Sequence, residues 1–150
     1  MKKLKRNPLI TSKIMSSIPS KNTKPENQLA QLLKQKKIKF VRHFSIIGSP
    51  DFAILSKKIA IFVDGDFWHG HNWKLRGLKN LQAELNSYNK YWSNKIQTNI
   101  RRDKKVNRLL SKLGWKVVRV WESNIKKYPN KIICNLVKTI QIQTTSNPNL

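Results

Sequence analysis

A chain of 150 residues, 39% hydrophobic and 25% charged, is long enough for one folded domain around one core. Its 31 Lys and Arg against 7 Asp and Glu give a formal charge of +24, which repels itself in a compact state and calls for a polyanionic partner, nucleic acid first. One cysteine excludes an intramolecular disulfide and a multi-cysteine zinc cluster, no apolar run approaches membrane-spanning length, and the basic residues alternate with apolar ones rather than lining one membrane-surface helix.

Residues 1–20 are basic and without period, and read as an arm that orders on nucleic acid; no apolar signal region follows Met1-Lys2-Lys3. A cytoplasmic, nucleoid-associated location is the expectation. Thr23-Lys24-Pro25-Glu26 is a helix start, with Thr23 as N-cap and Glu26 completing a capping box. The helix carries Leu29, Leu32 and Leu33 on one face and is expected to run to about Lys37. Residues 38–44 alternate as a strand does, Gly48-Ser49-Pro50 is a turn, and residues 51–55 open a second strand. Residues 59–63 are apolar enough for a central strand. Residues 72–84 look polar and irregular. A long helix is predicted over about 86–113, stopped by Gly114, with a strand over 115–121 and a closing helix over 129–142. The order α-β-β-β-α-β-α predicts an α/β domain with a mixed sheet over residues 21–142 and a polar tail over 143–150. Cys134, beside Ile132, Ile133 and Leu136, is expected to be a buried thiol without chemistry.

The chemistry gathers at the end of the predicted central strand, in Ile61-Phe62-Val63-Asp64-Gly65-Asp66-Phe67-Trp68-His69-Gly70-His71. Asp64 and Asp66 lie there and Asp51 opens the preceding strand, so three of the four aspartates flank two strands. Singly, Asp51 would cap a turn and Asp64-Gly65 would be one. Together, beside so many cations, they suit a hard divalent ion used in phosphodiester hydrolysis. His69 is placed to act as a base, and His-x-His is also a metal-ligand spacing, although a loop histidine is the plain reading of His71. His43 has no motif around it and reads as structural. Phe67-Trp68 between acids and histidines suits a wedge between base pairs, the alternative being closure of the core. Glu26 is first a capping residue. The runs at 34–39, 101–105 and 126–127 form a phosphate-binding surface collectively.

With Met15-Ser16, Ser20 through Glu26, Ser49-Pro50-Asp51, Tyr91-Trp92 through Asn99 and Asp103, and Leu113-Gly114-Trp115 through Val120-Trp121-Glu122, this segment resembles the very-short-patch repair (Vsr) DNA mismatch endonucleases over roughly residues 15–142. The resemblance implies a type II restriction-endonuclease-like fold and magnesium-dependent nicking of one strand beside a T·G mismatch, by a monomer acting on double-stranded DNA. It implies that Asp51 holds metal with the backbone carbonyl of Val63, that His69 is the base, oriented by Glu26, and that Phe67, Trp68 and Trp92 intercalate. It further implies that Asn99 contributes to DNA contact and that the N-terminal segment, with Met15, embraces the duplex. The chain departs from the family in two places. Asp64 stands where a histidine is common, which turns that position toward metal ligation. The family's structural zinc site falls on Asp66, His71, Trp73 and Ser123, and Trp73 cannot ligate, so no such zinc is expected. The lysine that many restriction nucleases carry two residues after the equivalent of Asp64 is here Asp66, which favours a histidine-dependent mechanism. The expected function is therefore a DNA mismatch endonuclease, with a sequence-specific restriction endonuclease as the alternative within the class and a non-catalytic DNA-binding protein as the alternative outside it.

Overall fold

The computed structural model describes residues 21–145, so the predicted arm, Met15 and the end of the tail lie outside the described residues. Helix α1 (Lys24–Gln35) starts where the capping pattern places it: Glu26 N–H donates to Thr23 Oγ1 at 3.4 Å, and Pro25 sits in the first turn. The Glu26 carboxylate reaches back to the backbone N–H of Asn22, at 2.9 Å. Strands β1 (Val41–Arg42), β2 (Phe52–Ile54), β3 (Ile59–Asp64) and β4 (Lys116–Trp121) form one sheet in that order. The first three run antiparallel and β4 lies parallel to β3. The mixed α/β architecture is the expected one.

Strand β3 is central because it is apolar on both faces. Ile59 and Ile61 join the main core, formed with Leu29 and Leu33 of α1, Ile125, and Ile133 and Leu136. Ala60 and Phe62, pointing the other way, pack with Leu110 and Val106. The first core lies under α1, α5 (Glu122–Lys127) and α6 (Pro129–Thr145), and the second under α4 (Lys90–Lys112). The parallel β3–β4 pair needs a crossover, which residues 65–115 supply.

Three local expectations change. The strand expected over 38–44 shortens to Val41–Arg42, because β2 offers only Ala53 and Phe52 as partners and His43 turns away at φ 50°. The stretch 72–84 is not irregular: it holds α2 (Asn72–Leu75) and most of α3 (Leu81–Asn86). Helices this short show too little periodicity to be read from sequence. The long helix begins at Lys90, not near 86, because Asn89 adopts an extended conformation and its side chain accepts the N–H of Trp92 at 3.0 Å. Cys134 is exposed, contrary to expectation; Ile133 and Leu136 take the inward face of α6, and the helical step between them turns Cys134 outward.

Candidate active site

Antiparallel pairing of β2 with β3 in the register Phe52↔Ile61 brings Asp51 alongside the C-terminal end of β3. One carboxylate oxygen, Asp51 Oδ2, accepts the backbone N–H of Val63 at 2.7 Å. The two aspartates that flank separate strands in sequence thus meet at one sheet end. They line a cleft of about 790 Å³ together with Glu26, His69, Asp103 and Arg119.

Among the described residues two clusters of acids and histidines each bring ligand-capable atoms within 4.8 Å of one another: Glu26, His43 and Asp51, and Asp64, His69 and Asp103. In the first, Glu26 Oε2 lies 3.4 Å from Arg42 Nη2 and 3.8 Å from His43 Nε2. His43, read from sequence as structural, is therefore beside Asp51. Its strained φ of 50° goes with backbone donation to the Asp51 carbonyl at 3.1 Å. Burial pushes the Asp51 carboxyl up to about 7, against the opposing pull of the Val63 N–H; Glu26 and Asp64 add to the rise.

In the second cluster His69 Nδ1–H donates to Asp103 Oδ2, and Nε2 faces Asp64 Oδ1 at 3.8 Å. This geometry corrects the expectation that Glu26 orients His69. Glu26 is committed to the end of α1, Arg42 and His43, whereas α4 delivers Asp103 directly to the imidazole. Asp64 is buried and takes both its short contacts from Arg119 Nη1, at 3.0 and 3.2 Å. Burial raises its carboxyl too, with His69 and Arg119 pulling it back. Asp64 therefore groups with His69 and Arg119, not with Asp51 as the expected shared metal set would have it.

The loop between β3 and α2 presents Phe67, Trp68 and His69 and is tied at several points. Asp66 accepts from His71 Nδ1–H at 2.6 Å, Ser123 Oγ–H at 2.7 Å and Ser123 N–H at 3.1 Å. The His71 ring stacks flat on Trp121, centroids 4.1 Å apart. Glu84 is fully buried and takes the Trp73 N–H, and burial raises its carboxyl. The donor set Asp66, His71, Trp73 and Ser123 does not fit a tetrahedral zinc: the Trp73 indole offers no ligand atom, and the other three are satisfied by one another. Gly70, at φ 72°, sits where a Cβ would come within 2.8 Å of Ile100 and 2.9 Å of Leu81, so the loop follows α4 closely. Asn99, which lines the cleft, donates to the Trp68 carbonyl at 3.0 Å and so ties this loop to α4.

Phe67 and Trp68 are partly exposed and stand edge to face, centroids 5.3 Å apart. Trp92, expected as a third intercalating ring, is only 6% exposed. It lies on the inward face of α4 with Ile96, and its ring backs both Phe67 and Trp68, at 5.5 and 5.8 Å. Tyr91 next to it is exposed, and Lys95 Nζ lies 5.3 Å from the Trp68 ring. Sequence reasoning gave neither Asp103 nor Arg119 a role. Asn99 and Asp103 stand four residues apart on one helix face, a spacing that could have paired them; nothing local points to Arg119.

The raised Asp51 carboxyl has a consequence for stability. Its folded value of about 7 lies above the ordinary 3.8, so the folded chain holds that proton better than the unfolded chain does. The contribution is complete below about pH 4 and is lost as pH rises through about 7, up to roughly 4 kcal/mol less the share that solvent screens. In urea unfolding in EDTA, the Asp51→Asn variant should lack this loss between pH 5 and 8. Parallel stability curves for the two proteins would contradict the burial argument.

Comparison with known proteins identifies the family. The family model for "DNA mismatch endonuclease Vsr" matches residues 5–75. The chain is 38% identical over 126 residues to the type II nicking enzyme V.HpaIIP of Haemophilus parainfluenzae, covering 83% of this chain and 86% of that one. It is 40% identical over 116 residues to the type II nicking enzyme V.NmeDIP of Neisseria meningitidis serogroup C, covering 77% and 75%. Against the DNA mismatch endonuclease Vsr of Escherichia coli (strain K12), identity is 34% over 116 residues, covering 77% and 70%. The matches to these nicking enzymes extend beyond the first half of the chain. With an acidic, histidine-bearing cleft at a strand end and a chain of net charge +24, they make this protein a DNA endonuclease of the Vsr family.

Proposed function

We propose that this endonuclease nicks one strand of double-stranded DNA beside a T·G mismatch, acting as a monomer. The observation that carries the reading is the loop 65–71, which joins a base and a wedge: His69 Nδ1 is held by Asp103 while Phe67 and Trp68 stand on the two preceding positions. Opening a mismatched step costs less than opening a paired one, so a wedge fixed beside the base selects the damaged site and aligns it in one event. Trp92 supports the wedge from below, Asn99 ties its backbone, and the cationic surface holds the phosphates.

Asp51 and the Val63 carbonyl would be the best seat for magnesium, because Asp51 is a half-buried carboxylate to which no side chain donates among the described residues. Bound there, the ion would supply Lewis-acid charge for the phosphate oxygens. His69 Nε2 takes a proton from the attacking water, while the Asp103 carboxylate holds Nδ1–H and stabilises the imidazolium formed. Water oxygen bonds to phosphorus as the bond from phosphorus to the leaving oxygen breaks. Glu26 acts on the Asp51 side, through His43. Met15 and the arm add contacts along the duplex, and no helix among the described residues is long and apolar enough to cross a membrane, in keeping with a cytoplasmic, nucleoid-associated enzyme.

Paired duplexes decide the substrate. With magnesium, the T·G duplex should be nicked on one strand at least ~10²-fold faster than its T·A or C·G counterpart, the margin that a selective unstacking cost of a few kcal/mol allows. Equal cleavage of matched and mismatched duplexes, or cutting of both strands, would point instead to restriction at an intact site.

A further inference from the structure

The two carboxylate clusters of the cleft differ in one respect that the reaction scheme above does not use. The Asp64–His69–Asp103 cluster already contains a fixed cation. Arg119 Nη1 donates to both Asp64 oxygens, at 3.0 and 3.2 Å, and lies 3.5 Å from Asp103 Oδ1. The guanidinium is not a loose surface group. Its Nε–H donates to Asn107 Oδ1 at 2.8 Å, and its plane of charge lies 4.2 Å from the centre of the Phe62 ring. Strand β4, paired in parallel with β3, carries it to this position opposite Phe62. The Glu26–His43–Asp51 cluster is built differently. Its arginine, Arg42, reaches Glu26 and leaves the Asp51 carboxylate, among the described residues, with the Val63 N–H as its one hydrogen-bond donor.

We propose that the Arg119 guanidinium occupies the cation position of the Asp64–His69–Asp103 cluster, so that the protein takes a single divalent ion, on the Asp51 side. Two carboxylates flanking one imidazole within 4.8 Å would otherwise be a ligand set for a hard cation. A tethered, permanently charged guanidinium neutralises them without competing for the His69 lone pair, since it has donors and no acceptor. His69 Nε2 is thereby kept for the proton of water. The inference rests on the reading that Asp51 holds the divalent ion.

Manganese, counted by electron paramagnetic resonance on the whole protein without DNA, tests it. Up to about 1 mM metal, the wild-type chain should bind one ion, Asp103→Asn should still bind one, and Arg119→Gln should bind two. The triple variant lacking Arg119, Asp64 and Asp103 through Gln and Asn replacements should return to one. Two ions on the wild type, loss of the ion in Asp103→Asn, or a count of one in folded Arg119→Gln would each overturn the proposal. If Arg119→Gln does not fold, Arg119→Met, which keeps the aliphatic stem beside the Phe62 ring, takes its place: it should bind two ions, and a count of one in it overturns the proposal. Asp51→Asn separates the two readings: an ion retained in that variant removes the Asp51 metal seat itself, whereas an ion lost there with no second ion in Arg119→Gln removes only the role of Arg119.

Discussion

Asp51→Asn is expected to lower nicking by about 10³-fold or more, the loss that follows when several kcal/mol of charge stabilisation at the phosphate are withdrawn. The substitution is close to isosteric, and the amide oxygen can still accept the Val63 N–H that Asp51 accepts at 2.7 Å, so the sheet end should survive. What disappears is a negative oxygen to which, among the described residues, no side chain donates. Binding of a T·G duplex in EDTA should be unchanged or tighter, because removing a carboxylate from the path of a polyanion relieves repulsion. Gel-shift binding and single-turnover nicking on the same duplex check both halves. A variant that nicks at the wild-type rate would move the metal seat elsewhere.

His69→Ala is expected to cost between ~10² and 10⁴ in the nicking rate, the usual contribution of a positioned general base, again with binding retained. The effect should fall on the rate at saturating DNA and not on the half-saturation, since His69 is held within the cleft by Asp103 and Asp64. Asp103→Asn offers the graded companion: an amide cannot enforce the Nδ1–H tautomer, so its loss should approach that of His69→Ala, and the double variant should lose little more than the worse single one. Additive losses would mean that the two residues act separately.

These two results bear on the point where sequence and structure part. The capped start of α1 was legible because Thr23, Pro25 and Glu26 act within one turn. The central strand was legible because residues 59–63 are apolar on both faces, and Asp51 was legible because a scarce acid opened the neighbouring strand. The partner of His69 was not. Asp103 lies 34 residues away and Arg119 lies 55 residues from Asp64, so their encounters depend on how α4 lies across β3 and how β4 pairs with it. The expected Glu26 partnership failed for the same reason: the helix start that made Glu26 recognisable also occupies it.

Burial shows the same division. Trp92 reads as an aromatic beside a DNA-binding segment, but one step along α4 separates a ring that backs the wedge from Tyr91, which faces solvent. Asp66 and His71 read as metal-ligand types, but Ser123, arriving after β4, closes them into a hydrogen-bonded tie. By itself the sequence determined the longer elements, the strand end that bears the chemistry and the polyanionic partner, since these rest on local periodicity, capping and composition, and its motifs carried the resemblance to the family. Only the tertiary structure decided which carboxylate holds which histidine, which aromatic is exposed and which acids carry their own cation. Those are properties of side chains meeting across the β3–β4 crossover, and a chain reports its neighbours in space only once α4 and the sheet have packed.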